Sequence, residues 1–331
     1  MTATYRPPSA TPQSTTPHST LAVQAPDPVR ATISAGLRAT PKTLPATLFY
    51  DERGAMLFEG ICRQPEYYLT RTEESILAMC AATLAALMGP RVALIELGSG
   101  AATKVKPLLA ALEQPVAYVP VDVSREQLLV VAAERAREFP QLQVLPVCGD
   151  YTQGVNAPDF PSGTRRVAFF PGSTIGNLHP HEASTFLRSV RALVGDHGGL
   201  VLGVDRRKHV ALIDAAYNDA AGVTEAFNLN VLEHLNREFE GDIDLSAFRH
   251  HAFFNTDESR VEMHLEAVVA NTFRVANDEF HVAEGESIRT EVSYKYDRAR
   301  LDAVAAAGGW AVEQLFTDSQ EWFWVAWLRP V

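Results

Sequence analysis

Apolar residues along this chain change their spacing several times, and each change marks an element. Between residues 92 and 205 short apolar runs recur: VALIELGSG (92–100), VAYVPVDVS (116–124), QVLPVCGD (143–150), RRVAFFPGSTIGN (165–177) and GGLVLGVD (198–205). Each is rich in β-branched or aromatic residues and runs into Gly, Asp, Asn or Ser, the pattern of a buried strand entering a turn. Between them lie segments with helical apolar spacing, SREQLLVVAAERAREF (124–139) and PHEASTFLRSVRALV (180–194). A further helix is expected over 72–88, capped by Thr72 and with acids in its first turn. Strand and amphipathic helix in alternation predict an α/β fold, a doubly wound parallel sheet covered on both faces. Its ligand belongs at the carboxyl ends of the strands.

The rhythm breaks after Asp205. Residues 206–247 look mostly helical, and 260–290 alternate with period two as two or three strands. DRARLDAVAAAGG then predicts a helix, and WAVEQLFTD with EWFWVAWLR a terminal antiparallel hairpin. This predicts an inserted α+β substrate-binding domain built from 30–71 and 207–295, with 72–206 and 296–331 as the α/β core. The first 29 residues hold six prolines and nine Ser or Thr, and read as a disordered tail.

Composition narrows the function classes. With 47% hydrophobic and 21% charged residues the chain is of ordinary globular type, and a formal charge of -11 repels a phosphate backbone. No apolar run reaches the roughly 20 residues of a membrane span, and no signal-like apolar core opens the chain. Cys62, Cys80 and Cys148 are scattered without a C-x-x-C pair, which points to free thiols in a reducing compartment and away from zinc. The histidines of HPH and HH (His179, His181, His250, His251) read as solvated, as does the Arg206–Lys208 run. A cytoplasmic monomer is expected, without metal, nucleic-acid or membrane partners.

The turn ELGSGAATK carries the first chemistry. Gly98 and Gly100 let backbone approach a ligand, but Thr103 stands where a dinucleotide-binding turn needs a third glycine. Glu96, two residues before the first glycine, suits a cation better than a pyrophosphate. The amino group of S-adenosylmethionine (SAM) is such a partner. Asp122 ends the second strand, where a carboxylate accepts both ribose hydroxyls. Asp150 ends the third and can accept from the exocyclic adenine amine, with Tyr151 beside it to pack the base. Each acid alone reads first as a surface carboxylate or a cap; together at successive strand ends they resemble the SAM site of class I methyltransferases (Rossmann-like).

PEYYLTRTE, PGSTIGNL, YNDAAGVTEAFN, RVEMHLEA and RTEVSYKY, taken together, resemble the histidine-specific, SAM-dependent Nα-methyltransferases of ergothioneine biosynthesis. The resemblance spans about residues 30–331. It implies cofactor contacts at Gly98, Lys104, Asp122, Asp150 and Tyr151. It implies substrate contacts at Tyr67, Asn177, Tyr217, Met263, Glu291 and Ser293, with Tyr50, Gly172 and Thr174 lining the same cavity. On chemistry alone, Tyr67 beside Tyr68 reads first as core packing and Glu291 as a surface ion pair. In the implied roles, Asn177 and Tyr217 hold the substrate carboxylate. Tyr67 pairs with one imidazole nitrogen, while Glu291, assisted by Ser293, accepts from the other. The expected reaction is transfer of three methyl groups to the α-amine of L-histidine, giving hercynine. No residue is named as general base; Thr174, or a water near Gly172, is the candidate. Two alternatives stay open: a related enzyme acting on another ring, such as a tryptophan derivative, and a non-catalytic SAM-binding sensor.

Overall fold

The structure, a computed structural model, describes residues 28–331. The tail expected over 1–29 lies outside the described residues except for Pro28 and Val29, which begin helix α1 (Pro28–Arg38). Strand β1 (Lys42–Thr43) and helix α2 (Glu52–Cys62) follow, the latter capped by Asp51, whose carboxylate accepts from Gly54 N.

Helix α3 spans Leu69–Met88 and so begins before the expected Thr72. Tyr68 and Leu69 are buried, and Thr72 N donates to Tyr68 O, so packing of the preceding residues carries the helix back a turn. Thr72 is consequently an interior residue. Its neighbour Glu73, one of the acids expected in the first turn, is fully buried.

The expected alternation follows: β2 (Val92–Leu97), α4 (Lys106–Ala111), β3 (Ala117–Asp122), α5 (Arg125–Glu138), β4 (Gln143–Val144), β5 (Val147–Cys148), β6 (Arg165–Phe170), α6 (Pro180–Val194) and β7 (Gly199–Asp205). β2 and β7 are buried at every position, which is why their sequences run apolar without alternation. At the end of the chain come α9 (Arg298–Ala307), then two strands, Trp310–Thr317 and Phe323–Pro330, that pair antiparallel as expected. Phe323–Pro330 inserts between β7 and Trp310–Thr317, antiparallel to β7. From that edge the sheet runs β7-β6-β2-β3 and then β4 and β5, all parallel. Apolar residues of α3 and α4 (Ile76, Leu84, Leu108) cover one face, those of α6 and α9 (Phe186, Leu187, Leu301) the other. The chain leaves β2 toward β3 and returns on its other side as β6. That reversal opens a crevice at the carboxyl ends of β2 and β6, the place where such sheets bind ligands.

Between β7 and α9 lie helices α7 (Val210–Ala216) and α8 (Val223–Glu238), then strands β8 (Phe248–Asn255), β9 (Arg260–Ala267), β10 (Asn271–Val275), β11 (Asp278–Val282) and β12 (Ser287–Tyr294); the two terminal strands are therefore β13 and β14. A second sheet has the order β1-β12-β9-β8, and β10 pairs with β11 separately. Strand β8 has no counterpart among the expected elements. Its FRHHAFFN alternation is broken by His250, which is part-buried and bonded to Asn228 at 2.9 Å and to Tyr217 O at 2.9 Å rather than solvated. His179 likewise meets Tyr294 OH at 3.0 Å.

Candidate active site

The turn after β2 is tied to β3. Gly98 N and Ser99 N both donate to Val121 O, and Gly100 N donates to Asp122 Oδ2 at 2.9 Å. Ser124 N takes the other Asp122 oxygen at 3.0 Å, leaving further lone pairs on each oxygen for a ligand. Gly98 has φ +71°, and a Cβ there would press to 3.1 Å on the Tyr151 ring. Asp150 binds Thr152 N and Oγ1 through Oδ1 alone, so its second oxygen is free of these bonds. Tyr151 is half-buried, edge-on to Phe170 and Phe186.

Glu96 does not fit the role expected of it. It shares its strand face with Val92 and Leu94, under α3 and α4, and is 1% exposed. Its carboxyl accepts from Tyr118 OH, and burial pushes it up to about 8, against the pull of that bond and of Lys104. It is a packed structural acid, not one presented at the strand ends. Glu96→Gln is therefore expected to leave SAM affinity within about twofold. Since the folded value of about 8 exceeds the ordinary 4.5, the native state loses stability as pH rises between them. The variant lacks that loss, so its melting temperature should exceed the wild type's by a margin that widens over this window. A large drop in calorimetric SAM affinity would return Glu96 to the cofactor site.

The loop after β6 forms the next wall. Gly172 (φ +80°) and Ser173 (φ +58°) turn it back sharply, and Ser173 Oγ accepts from Asp205 N at 2.9 Å. Gly172 N donates to both oxygens of Glu73, at 2.9 and 3.0 Å, and Lys104 Nζ bonds Glu73 Oε2 at 2.7 Å. Burial works against the Lys104 charge, but Glu73 outweighs it and holds the ammonium above its ordinary range. Glu73 thus ties this loop to Lys104, and a Cβ on Gly172 would lie 3.6 Å from Lys104 Nζ. No expected role fell on Glu73. The only signal was an acid inside an otherwise apolar helical face.

Beyond that loop lies a cavity lined by Tyr50, Phe58, Ile61, Tyr67, Leu69, Gly172, Ser173, Thr174, Asn177, Ala216, Tyr217, Thr224, Phe227, Met263, Glu291 and Ser293. All nine residues expected at the substrate are among them, drawn from segments throughout the chain. A β-bulge aims one wall. The β12–β9 register shifts between Arg289 and Glu291, placing Glu291 opposite Met263 and Ser293 opposite Val261. The extra residue puts Glu291 and Ser293 on the face that Ile288 holds before the bulge. Thr290, the residue passed over, is buried and bonds Asn228 Oδ1 at 2.7 Å.

The side chains of Tyr50, Tyr67, Asn177 and Glu291 make no hydrogen bond to the described residues, so their polar atoms are left for a ligand. Burial pushes the Glu291 carboxyl up to about 7, with Lys295 pulling it down. Burial also raises the Tyr67 phenol well above its ordinary range, leaving it a neutral donor and acceptor. Tyr50, Phe58, Tyr67, Phe227 and Tyr217 form a chain of edge and tilted ring contacts around the same space.

Residues 29–330 match the family described as histidine-specific, SAM-dependent methyltransferases. The chain belongs to that family. It is 41% identical over 295 residues to histidine N-alpha-methyltransferase of Mycolicibacterium smegmatis, covering 88% of this chain and 91% of that protein. The enzyme of the same name from Mycobacterium tuberculosis is 39% identical over the same shares. A 4-dimethylallyltryptophan N-methyltransferase of Epichloe festucae var. lolii is 30% identical, over 82% of this chain and 87% of its own length. Family membership also identifies the sheet described above as that of a SAM-dependent methyltransferase core.

The Arg206–Lys208 run is not the solvated linker expected. Lys208 is nearly buried, bonded to Asp205 and to Tyr68 OH, and Arg206 stacks 4.3 Å over Trp324. Among the described residues no cluster of His, Cys, Asp or Glu could hold a metal ion, and no helix is long and apolar enough to cross a membrane.

Proposed function

We propose that the protein transfers three methyl groups from SAM to the α-amine of L-histidine, giving hercynine for ergothioneine biosynthesis. One observation carries the reading: a single cavity gathers Tyr67, Asn177, Tyr217, Glu291 and Ser293, and its wall residue Gly172 shares the Glu73 carboxylate with Lys104, the lysine assigned to the cofactor. In this reading 30–71 with 207–295 forms most of the histidine site, and 72–206 with 296–331 holds the cofactor, in a cytoplasmic monomer. Donor chemistry fits SAM. Asp122 and Asp150 offer acceptors at adjacent strand ends for ribose and adenine amine, Tyr151 offers a ring, and Lys104 a cation for a carboxylate. When bound, SAM supplies an electrophilic methyl on a sulfonium.

The chain's own residues do the rest. Asn177 and Tyr217 fix the histidine carboxylate, while Tyr67 and Glu291 fix the two ring nitrogens, so the α-amine is held by both ends of its molecule. Such positioning is worth up to about 7–11 kcal/mol of barrier in favourable cases. The amine must be neutral to react, and a free α-amine has a pKa above neutrality, about 8 or higher. The site therefore needs a route for proton loss more than a strong base, and the Thr174 hydroxyl or a water near Gly172 is where such a route would begin. Each methylation makes the nitrogen a poorer donor and a bulkier cation, until the quaternary product has no N–H left. The rings of Tyr50, Phe58, Tyr67 and Phe227 suit that cation by cation–π attraction, which needs no hydrogen bond.

Incubating the protein with SAM and single amino acids, and following product mass, tests this. Mono-, di- and trimethylated histidine should appear in sequence. Turnover of tryptophan derivatives with none of histidine would overturn the assignment, and SAM binding without turnover of any amine would favour a sensor.

A further inference from the structure

Lys295 lies at the end of RTEVSYKY, on the same face of its segment as Glu291 and Ser293, and is fully buried. An ammonium has three hydrogens and no lone pair. Here three acceptors surround it: Asp205 Oδ2 at 2.9 Å, Tyr217 OH at 3.0 Å and Ser293 Oγ at 3.1 Å. Asp205 and Lys295 stand at the two seams of the insertion, one closing β7 and the other following β12. Burial opposes charge on Lys295, but Asp205 and Tyr217 outweigh it and keep the group cationic.

Tyr217 OH also donates to Ser293 Oγ at 3.0 Å. Ser293 Oγ then accepts from both Lys295 and Tyr217, which fills its two lone pairs, and its own hydrogen is left for the cavity. If a ligand instead takes the Tyr217 hydrogen, that too is donation into the cavity. With Lys295 donating to both from behind, at least one of the two hydroxyl hydrogens is always left for the cavity.

We propose that Lys295 is a positioning residue that fixes the polarity of Tyr217 and Ser293, so that this wall accepts the ionised carboxylate of a free α-amino acid and rejects its amide or decarboxylated analogue. The proposal rests on the histidine reading above and deepens it. It also reassigns Ser293, whose partner is an acceptor and not an imidazole N–H. Asp205 holds Lys295 in place, and Lys208 with Tyr68 holds Asp205 from the other side.

The test compares kcat/KM for L-histidine, L-histidinamide and histamine in the full-length wild type, in Lys295→Met, and in Asp205→Asn/Lys295→Met. The double variant removes the buried acid together with Lys295, so neither is left without the other if the single variant fails to fold, and Lys208 keeps Tyr68 OH as an acceptor. The wild type should prefer histidine over both analogues by about a hundredfold or more, since sites built around a ligand's polar group discriminate strongly when that group is missing. In either variant the preference should shrink at least tenfold, through a raised histidine KM, with SAM affinity unchanged. A folded variant that keeps the wild-type preference overturns the role of Lys295. So does a wild type that methylates histamine as readily as histidine. A wild type inert toward histidine would instead sink the functional reading, and this inference with it.

Discussion

Glu73→Ala is expected to lower the unfolding free energy by about 3–5 kcal/mol, the usual result of removing one partner of a buried ion pair, and to weaken SAM binding at least tenfold. The glutamate is fully buried in α3 yet bonds only to two groups of the proposed site, Lys104 Nζ at 2.7 Å and Gly172 N at 2.9 Å. Room for it exists because residue 203 is glycine; a Cβ there would lie 1.9 Å from Glu73 Oε1. Without the carboxylate, Lys104 loses the ion pair that fixes it, and the Gly172 loop loses its anchor to α3. Glu73→Gln keeps an acceptor for Gly172 N but not the charge, and should fall between. Denaturant titration gives the stability and calorimetry the SAM affinity. A destabilised protein with wild-type SAM affinity would make Glu73 a support of the fold alone.

The parallel sheet was legible because its strands are buried on both faces, and a run such as VALIEL or GLVLGV has no other economical reading. The cavity residues were legible only through motifs, since nothing in the spacing of Tyr67, Asn177, Tyr217 and Glu291 brings them together. What sequence missed was polar burial. Glu73, Glu96, Lys208 and Lys295 look like surface charges in a linear reading, yet each is buried against a partner distant in the chain: Lys104, Tyr118, Tyr68 and Tyr217. Period-two reasoning also could not see the bulge at Arg289–Glu291. A strict alternation would have put Glu291 on the face of Arg289 and away from the cavity.

That bulge sets up the last expectation, which concerns ring choice. Glu291 and Met263 face each other across β12 and β9, the one with an unpartnered carboxyl and the other 2% exposed. An imidazole has a ring N–H for Glu291 and a second nitrogen for Tyr67. An indole is larger, has one donor and no ring acceptor, and leaves Tyr67 unpaired, which such sites penalise heavily. The variant Glu291→Ala/Met263→Val removes the acceptor and widens the space beside it. A hydrogen bond to a charged group is worth about 1.5–3 kcal/mol, so histidine kcat/KM should fall by roughly ten- to a hundredfold. Tryptophan loses nothing with the carboxylate and gains volume, so its methylation should rise. The measured quantity is the ratio of the two kcat/KM values in wild type and variant, which should move toward tryptophan by more than tenfold. Shortening Met263 alone costs about 1 kcal/mol of stability by loss of buried methylene; the single variant Met263→Val therefore separates volume from polarity, and should shift the ratio less than the pair. An unmoved ratio in a folded double variant would mean that the imidazole is recognised at Tyr67 and the aromatic wall instead.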